Sequence, residues 1–111
     1  MKTFRLDAMK GGWFVGGFEP TCFKSDAMEV ACKFYKAGAQ EASHIHRVAT
    51  ELTLVAAGRV SMNGQVFAAG DIILLEPGEA GTFRVLDDAI TVVVKAPCVV
   101  GDKYPAQGEN D

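Results

Sequence analysis

The chain of 111 residues has two histidines, one tryptophan and three cysteines, and its scarcities narrow what it can be. The cysteines, Cys22, Cys32 and Cys98, are odd in number and form no Cys-x-x-Cys pair. That argues against a disulfide scaffold and fits small buried hydrophobes in a reducing cytoplasm. Lys and Arg occur singly and the net charge is −3, so no basic patch offers nucleic acid a footprint. No apolar run approaches the length of a membrane span. The opening stretch, Met1 to Gly12, carries scattered charges and lacks the apolar core of a signal peptide. A cytoplasmic protein with neither nucleic-acid nor membrane partner is expected. No segment sustains a helical period with a cap, and Ala37–Ser43 is too short to matter as a helix. Nucleophile elbows, dinucleotide-binding glycine motifs and P-loops are also missing.

What is present is a rhythm of short strands and glycine-bearing turns. Thr3–Leu6 and Gly12–Phe18 are the first apolar pieces. Met28–Lys36 alternates, with Met28, Val30, Cys32 and Phe34 on one face and Glu29, Lys33 and Tyr35 on the other. That period of two predicts a half-buried strand. His44–Arg47 and Thr50–Ala56 read as further strands. Asn63-Gly64 between Arg59–Met62 and Gln65–Ala68 is a hairpin signal, because both turn residues need positive φ. Ile72–Leu75, Thr82–Leu86 and Ala89–Lys95 complete the series, and Pro97 ends it. Many short strands with frequent turns predict an all-β sandwich or barrel. The core is expected to take Trp13, Phe14, Phe18, Phe34, Phe67 and Phe83.

Both histidines stand in one stretch, Ser43 to Glu51. On a strand, His44 and His46 point to the same face, and Glu51 opens the next strand. Two imidazoles and a carboxylate on one face form a ligand set that leaves coordination positions open. The same residues also suit an exposed strand with a solvated pair and a surface charge.

The spacing Gly38-x5-His44-x-His46-x4-Glu51-x6-Gly58 resembles the first motif of the cupin superfamily at every fixed position. Gly70-Asp71 followed by Pro77-Gly78 resembles the second motif, except that Gly81 stands where that motif has a histidine. The resemblance covers Ala37 to Lys95. It implies a cupin-type double-stranded β-helix, a jelly roll barrel, as a single domain over residues 1–104, with its motif region at 37–95. Residues 105–111 are expected to form a tail outside the core. It also implies a mononuclear site for a divalent transition metal, Fe, Mn, Ni or Zn, held by His44, His46 and Glu51. Small cupins are similar in usually being homodimers. Gly12–Thr21 and Val92–Tyr104 resemble, more weakly, a group of small cupins of no assigned reaction, some encoded beside surface-polysaccharide genes.

Around the triad, Gly81 removes side-chain bulk and is expected to make room for a ligand, with Thr53 and Phe83 lining the pocket. Glu76 and Glu79 are near enough in sequence to supply a replacement oxygen. Tyr35 and Lys95 are candidates for substrate contact or acid–base work, and Gln40 and Arg47 for an anionic substrate. The functional expectation is isomerase or lyase chemistry on a small carbohydrate or keto/hydroxy compound. The alternatives are a non-catalytic binding module for a sugar-type ligand or metal, and an accessory barrel that has lost its site.

Overall fold

The computed structural model describes residues 1–106. Among these residues, eleven strands form in chain order: β1 (Trp13–Gly16), β2 (Phe23–Lys24), β3 (Glu29–Tyr35), β4 (Gln40–Ile45), β5 (Thr50–Ala57), β6 (Arg59–Met62), β7 (Gln65–Ala68), β8 (Ile72–Leu75), β9 (Ala80–Val85), β10 (Ala89–Ala96) and β11 (Tyr104–Pro105). They make a six-stranded sheet, β2-β1-β3-β10-β5-β8, and a five-stranded sheet, β11-β4-β9-β6-β7. The expected strands at Arg59–Met62, Gln65–Ala68 and Ile72–Leu75 form at those bounds. Asn63 and Gly64 both take positive φ, 52° and 80°, as the hairpin between β6 and β7 requires.

Thr3–Leu6 forms no strand; the chain instead enters through short 3-10 turns at Leu6–Ala8 and Lys10–Gly12. Among the described residues, no helix is long and apolar enough to cross a membrane. The three cysteines are free thiols.

The core lies between the sheets, where Val55, Val60, Met62, Leu75, Phe83, Val85 and Ala89 pack together. The alternation along β9, with Gly81, Phe83 and Val85 buried and Thr82 and Arg84 exposed, is the half-buried pattern the sequence predicts.

β3 departs from that expectation. Its apolar face turns outward, leaving Phe34 68% exposed and Met28 40% exposed. The polar face, Glu29, Lys33 and Tyr35, lines the barrel interior. The reason is the barrel's own content. Its closed half is filled by the apolar core, while its open half holds polar groups, so a strand running past both can bury its charged face. The outward face of the large sheet is correspondingly apolar. Leu52, Leu74 and Ile72 are exposed there, joined by Val94 and Leu54 in register.

Candidate metal centre

β4 and β5 bring the triad together. His44 lies near the end of β4, His46 one residue beyond it and Glu51 at the start of β5. The predicted strand at His44–Arg47 thus ends at Ile45, and residues 46–49 cross from one sheet to the other. One ligand atom from each of His44, His46 and Glu51 lies within 4.8 Å of the others, close enough to hold a metal ion. The imidazole centroids are 5.0 Å apart and their rings are nearly perpendicular.

Each imidazole is oriented through Nδ1. That atom of His44 lies 3.2 Å from the Ala42 carbonyl, and His46 Nδ1 meets the Asp102 carbonyl. With Nδ1–H donating to a carbonyl, Nε2 is the nitrogen left for a cation or proton. Nε2 of His46 is 3.0 Å from Glu51 Oε1, and the Thr53 hydroxyl donates to Glu51 Oε2 at 3.3 Å. Its hydrogen bond to the Glu51 carboxylate raises the His46 pKa, against the effect of burial. Burial disfavours the Glu51 carboxylate, but the hydrogen bond and charge of His46, with His44, outweigh it and hold its pKa below the ordinary value.

The loop carrying His46 is clamped from two sides. Asp102 is buried, and its carboxylate accepts the backbone N–H groups of Arg47 (2.9 Å), Val48 (3.2 Å) and Ala49 (2.9 Å). Those three bonds overcome burial and keep the Asp102 carboxyl below its ordinary pKa. On the other side, the Gly78 N–H donates to the His46 carbonyl at 2.7 Å. The Pro77-Gly78 turn of the second motif therefore holds the histidine loop although that motif lacks its histidine. The C-terminal segment continues as β11, pairing Tyr104 with Ile45 and Pro105 with His44, and Ala106 N–H donates to Ser43 O. The expected tail from 105 thus begins with residues that hold β4; the remainder, 107–111, lies outside the described residues.

Gly81 is the direct cross-strand partner of His44. The space beside it is not open. A β-carbon at position 81 would come 3.0 Å from Leu75 Cδ1 and 3.8 Å from Met62 Sδ. Part of the room expected beside glycine is therefore taken by Leu75, which would have to give way to a β-carbon there, while Met62 stands at ordinary contact distance. Glu76 and Glu79 supply no oxygen there either. Both are exposed, and Glu79 instead accepts the Glu76 N–H at 2.8 Å within their turn.

The triad opens into a cavity of about 250 Å³ whose lining includes Thr53, Gly81, Phe83, Tyr35 and Lys95. The Tyr35 hydroxyl donates to Glu41 Oε2 at 3.2 Å, and its ring packs against Phe83 at 5.2 Å. Burial, then the Glu41 charge and hydrogen bond, push the Tyr35 hydroxyl well above its ordinary pKa, so it keeps its proton. Gln40 is outside the cavity and bonded to Arg84, while Arg47 stacks on Tyr104 at 4.0 Å. Sequence reasoning missed Trp13 as a wall of this cavity, together with Glu29, Lys33, Glu41 and Lys103. The signal for Glu29 and Lys33 was their shared parity with Tyr35.

No family model and no curated protein matches the chain in sequence. Solved structures do match in shape. An uncharacterized Klebsiella pneumoniae protein with a double-stranded β-helix domain superposes with a TM-score of 0.67 at 24% identity, covering 75% of this chain and 74% of that one. An RmlC-like cupin from Shewanella frigidimarina gives 0.61 at 20% identity, covering 68% and 70%.

This chain has the cupin fold.

A third cupin-fold match, the Escherichia coli pirin YhhW in complex with nickel(II), gives 0.64 at 15% identity, covering 78% of this chain and 39% of that one. At these identities the likeness is one of fold.

Proposed function

We propose that His44, His46 and Glu51 bind one divalent transition metal, and that the centre acts on a small keto or hydroxy compound in isomerase or lyase chemistry. The observation that carries this reading is the pairing of each Nδ1 with a backbone carbonyl, which leaves Nε2 for the cation. The 3.0 Å separation of His46 Nε2 and Glu51 Oε1 supports it. Two donors with bonds of about 2.1 Å at right angles on one ion stand about 3 Å apart. The pirin neighbour, solved in complex with nickel(II), supports the reading. Fe, Mn, Ni and Zn all accept two imidazoles and a carboxylate.

The bound ion would supply Lewis acidity toward a carbonyl or hydroxyl oxygen. The chain's own groups do the rest. Thr53 holds the Glu51 carboxylate in place, and Phe83, Leu75 and Met62 keep water from one side of the site. The Tyr35–Glu41 pair holds a proton in the same cavity, with Glu41 as the group able to accept one from the ligand.

A second reading is a pocket that binds without turnover. It is favoured by glycine at position 81, which leaves the metal three protein ligands where the resemblance implies four. Elemental mass spectrometry on protein purified without chelator tests the metal under both readings. Near one equivalent in the parent, and none in the His44→Ala/His46→Ala variant, is the expected result. No uptake from Fe(II), Mn(II), Ni(II) or Zn(II) would overturn it. Turnover of a candidate substrate then separates enzyme from binder.

A homodimer in a reducing compartment belongs to the same proposal. The exposed apolar face of the large sheet supports the first and the three free thiols the second. A solution mass of twice 11.8 kDa checks the dimer.

A further inference from the structure

Three lysines from separate parts of the chain line the same cavity as the triad: Lys33 on β3, Lys95 on β10, and Lys103 just before β11. Lys33 and Lys95 both lie against Trp13, with Nζ 5.2 and 4.9 Å from a ring centroid of its indole. An indole attracts an ammonium without neutralising it, so it positions both charges and leaves them able to bind an anion.

Of the nearby carboxylates, Glu29 pairs with Lys95 itself, and the other two are committed elsewhere. Lys95 stands between Glu29 and Glu51 in register and lies 3.8 Å from Glu29 Oε1. Glu51 belongs to the triad, and Glu41 takes the Tyr35 hydroxyl. Lys33 and Lys103 make no ion pair among the described residues. Burial chiefly lowers the Lys33 pKa; the charges of Lys103 and Lys95 add to this, against the opposing effect of Glu41. An anion at the ammonium would relieve this disfavoured charge.

The three lysines cancel the three cavity glutamates, Glu29, Glu41 and Glu51, in formal charge. A divalent ion at the triad would therefore leave the cavity two charges positive. A neutral sugar leaves that excess in place, whereas an acid offsets it. The cavity, about 250 Å³, falls below the size usual for drug-sized ligands and suits a small molecule.

We propose that Lys33 and Lys95, both held against Trp13, and Lys103 on the same cavity wall form a carboxylate subsite beside the triad. The ligand is then a small organic acid whose keto or hydroxyl oxygen faces the metal while its carboxylate meets the lysines. The placement of the second oxygen rests on the metal reading above; the lysine subsite does not.

The test is calorimetric titration of the Zn(II)-loaded protein with pyruvate and lactate, against their uncharged amides pyruvamide and lactamide. The acids are expected to bind at least about tenfold more tightly than the amides. Because a metal also prefers acids, the deciding comparison is the Lys33→Met/Lys103→Met variant. At unchanged zinc content and unfolding midpoint, its preference should fall to about threefold or less, while Lys33→Arg keeps it. Lys103 is exposed, so Lys103→Met alone gives a folded variant with a smaller fall in the same direction.

Equal binding of acids and amides, no binding by any of the four, or an undiminished preference in the double lysine variant overturns the subsite. If the parent takes up no zinc, the triad reading has failed by itself. The same four compounds are then titrated into metal-free protein, where the lysines alone must still favour the acids.

Discussion

The carbonyl of Asp102 accepts the Nδ1–H of His46, while the carboxylate of the same residue holds the loop that follows that histidine. One residue from the C-terminal segment thus fixes both the ring orientation and the backbone of a proposed ligand. Asp102→Ala would leave the backbone N–H groups of Arg47, Val48 and Ala49 without their acceptor in a buried place. A loss of about 2–4 kcal/mol in unfolding free energy is expected, with metal affinity lower by about tenfold to a hundredfold. Denaturant unfolding and competition with a chromophoric chelator measure the two separately. An unchanged affinity would show that the loop holds His46 without Asp102.

The pH dependence of this clamp has a definite sign. The folded-state pKa of Asp102 is below its ordinary value, so its contribution is present at neutral pH. It is lost as pH falls from the ordinary aspartate range, about 3.9, through the lower folded value. Asp102→Asn does not titrate at this position. The stability gap between parent and Asp102→Asn should therefore be full near neutrality and shrink with acidification below about pH 4. A gap that widens in acid would contradict this assignment.

Position 81 offers a constructive test. Gly81→His alone sets a β-carbon 3.0 Å from Leu75 Cδ1, tight enough that Leu75 must move, and a cost of about 1–3 kcal/mol is expected from overpacking. Pairing it with Leu75→Ala clears the space beside His44, so a fourth ligand can reach the triad. The double variant should hold zinc more tightly than the parent, read by chelator competition. Tighter binding in neither variant would mean that position 81 does not face the ion.

Thr53→Val keeps the shape of the side chain and removes the hydroxyl that donates to Glu51 Oε2. Metal affinity should fall severalfold, up to about tenfold. The unfolding free energy of metal-free protein should change by about 1 kcal/mol or less. A large stability loss at constant affinity would make Thr53 a packing residue only.

Sequence alone determined the strand rhythm, the Asn63-Gly64 hairpin and the spacing that puts His44, His46 and Glu51 near one point. These are local facts: alternation, positive φ at a turn, and residues few positions apart. Strand parity grouped Thr53 with Glu51 and Phe83 with Gly81, a relation that carries over once the strands are paired. Only the tertiary structure decided which face of β3 is inside. Alternation gives two faces but no direction, and the choice depended on a barrel whose open half is polar. The close approach of Leu75 to the Gly81 position was equally hidden, since that side chain comes from β8. So was the role of Asp102, which lies more than fifty residues from His46 and meets it only because β11 returns to pair with β4.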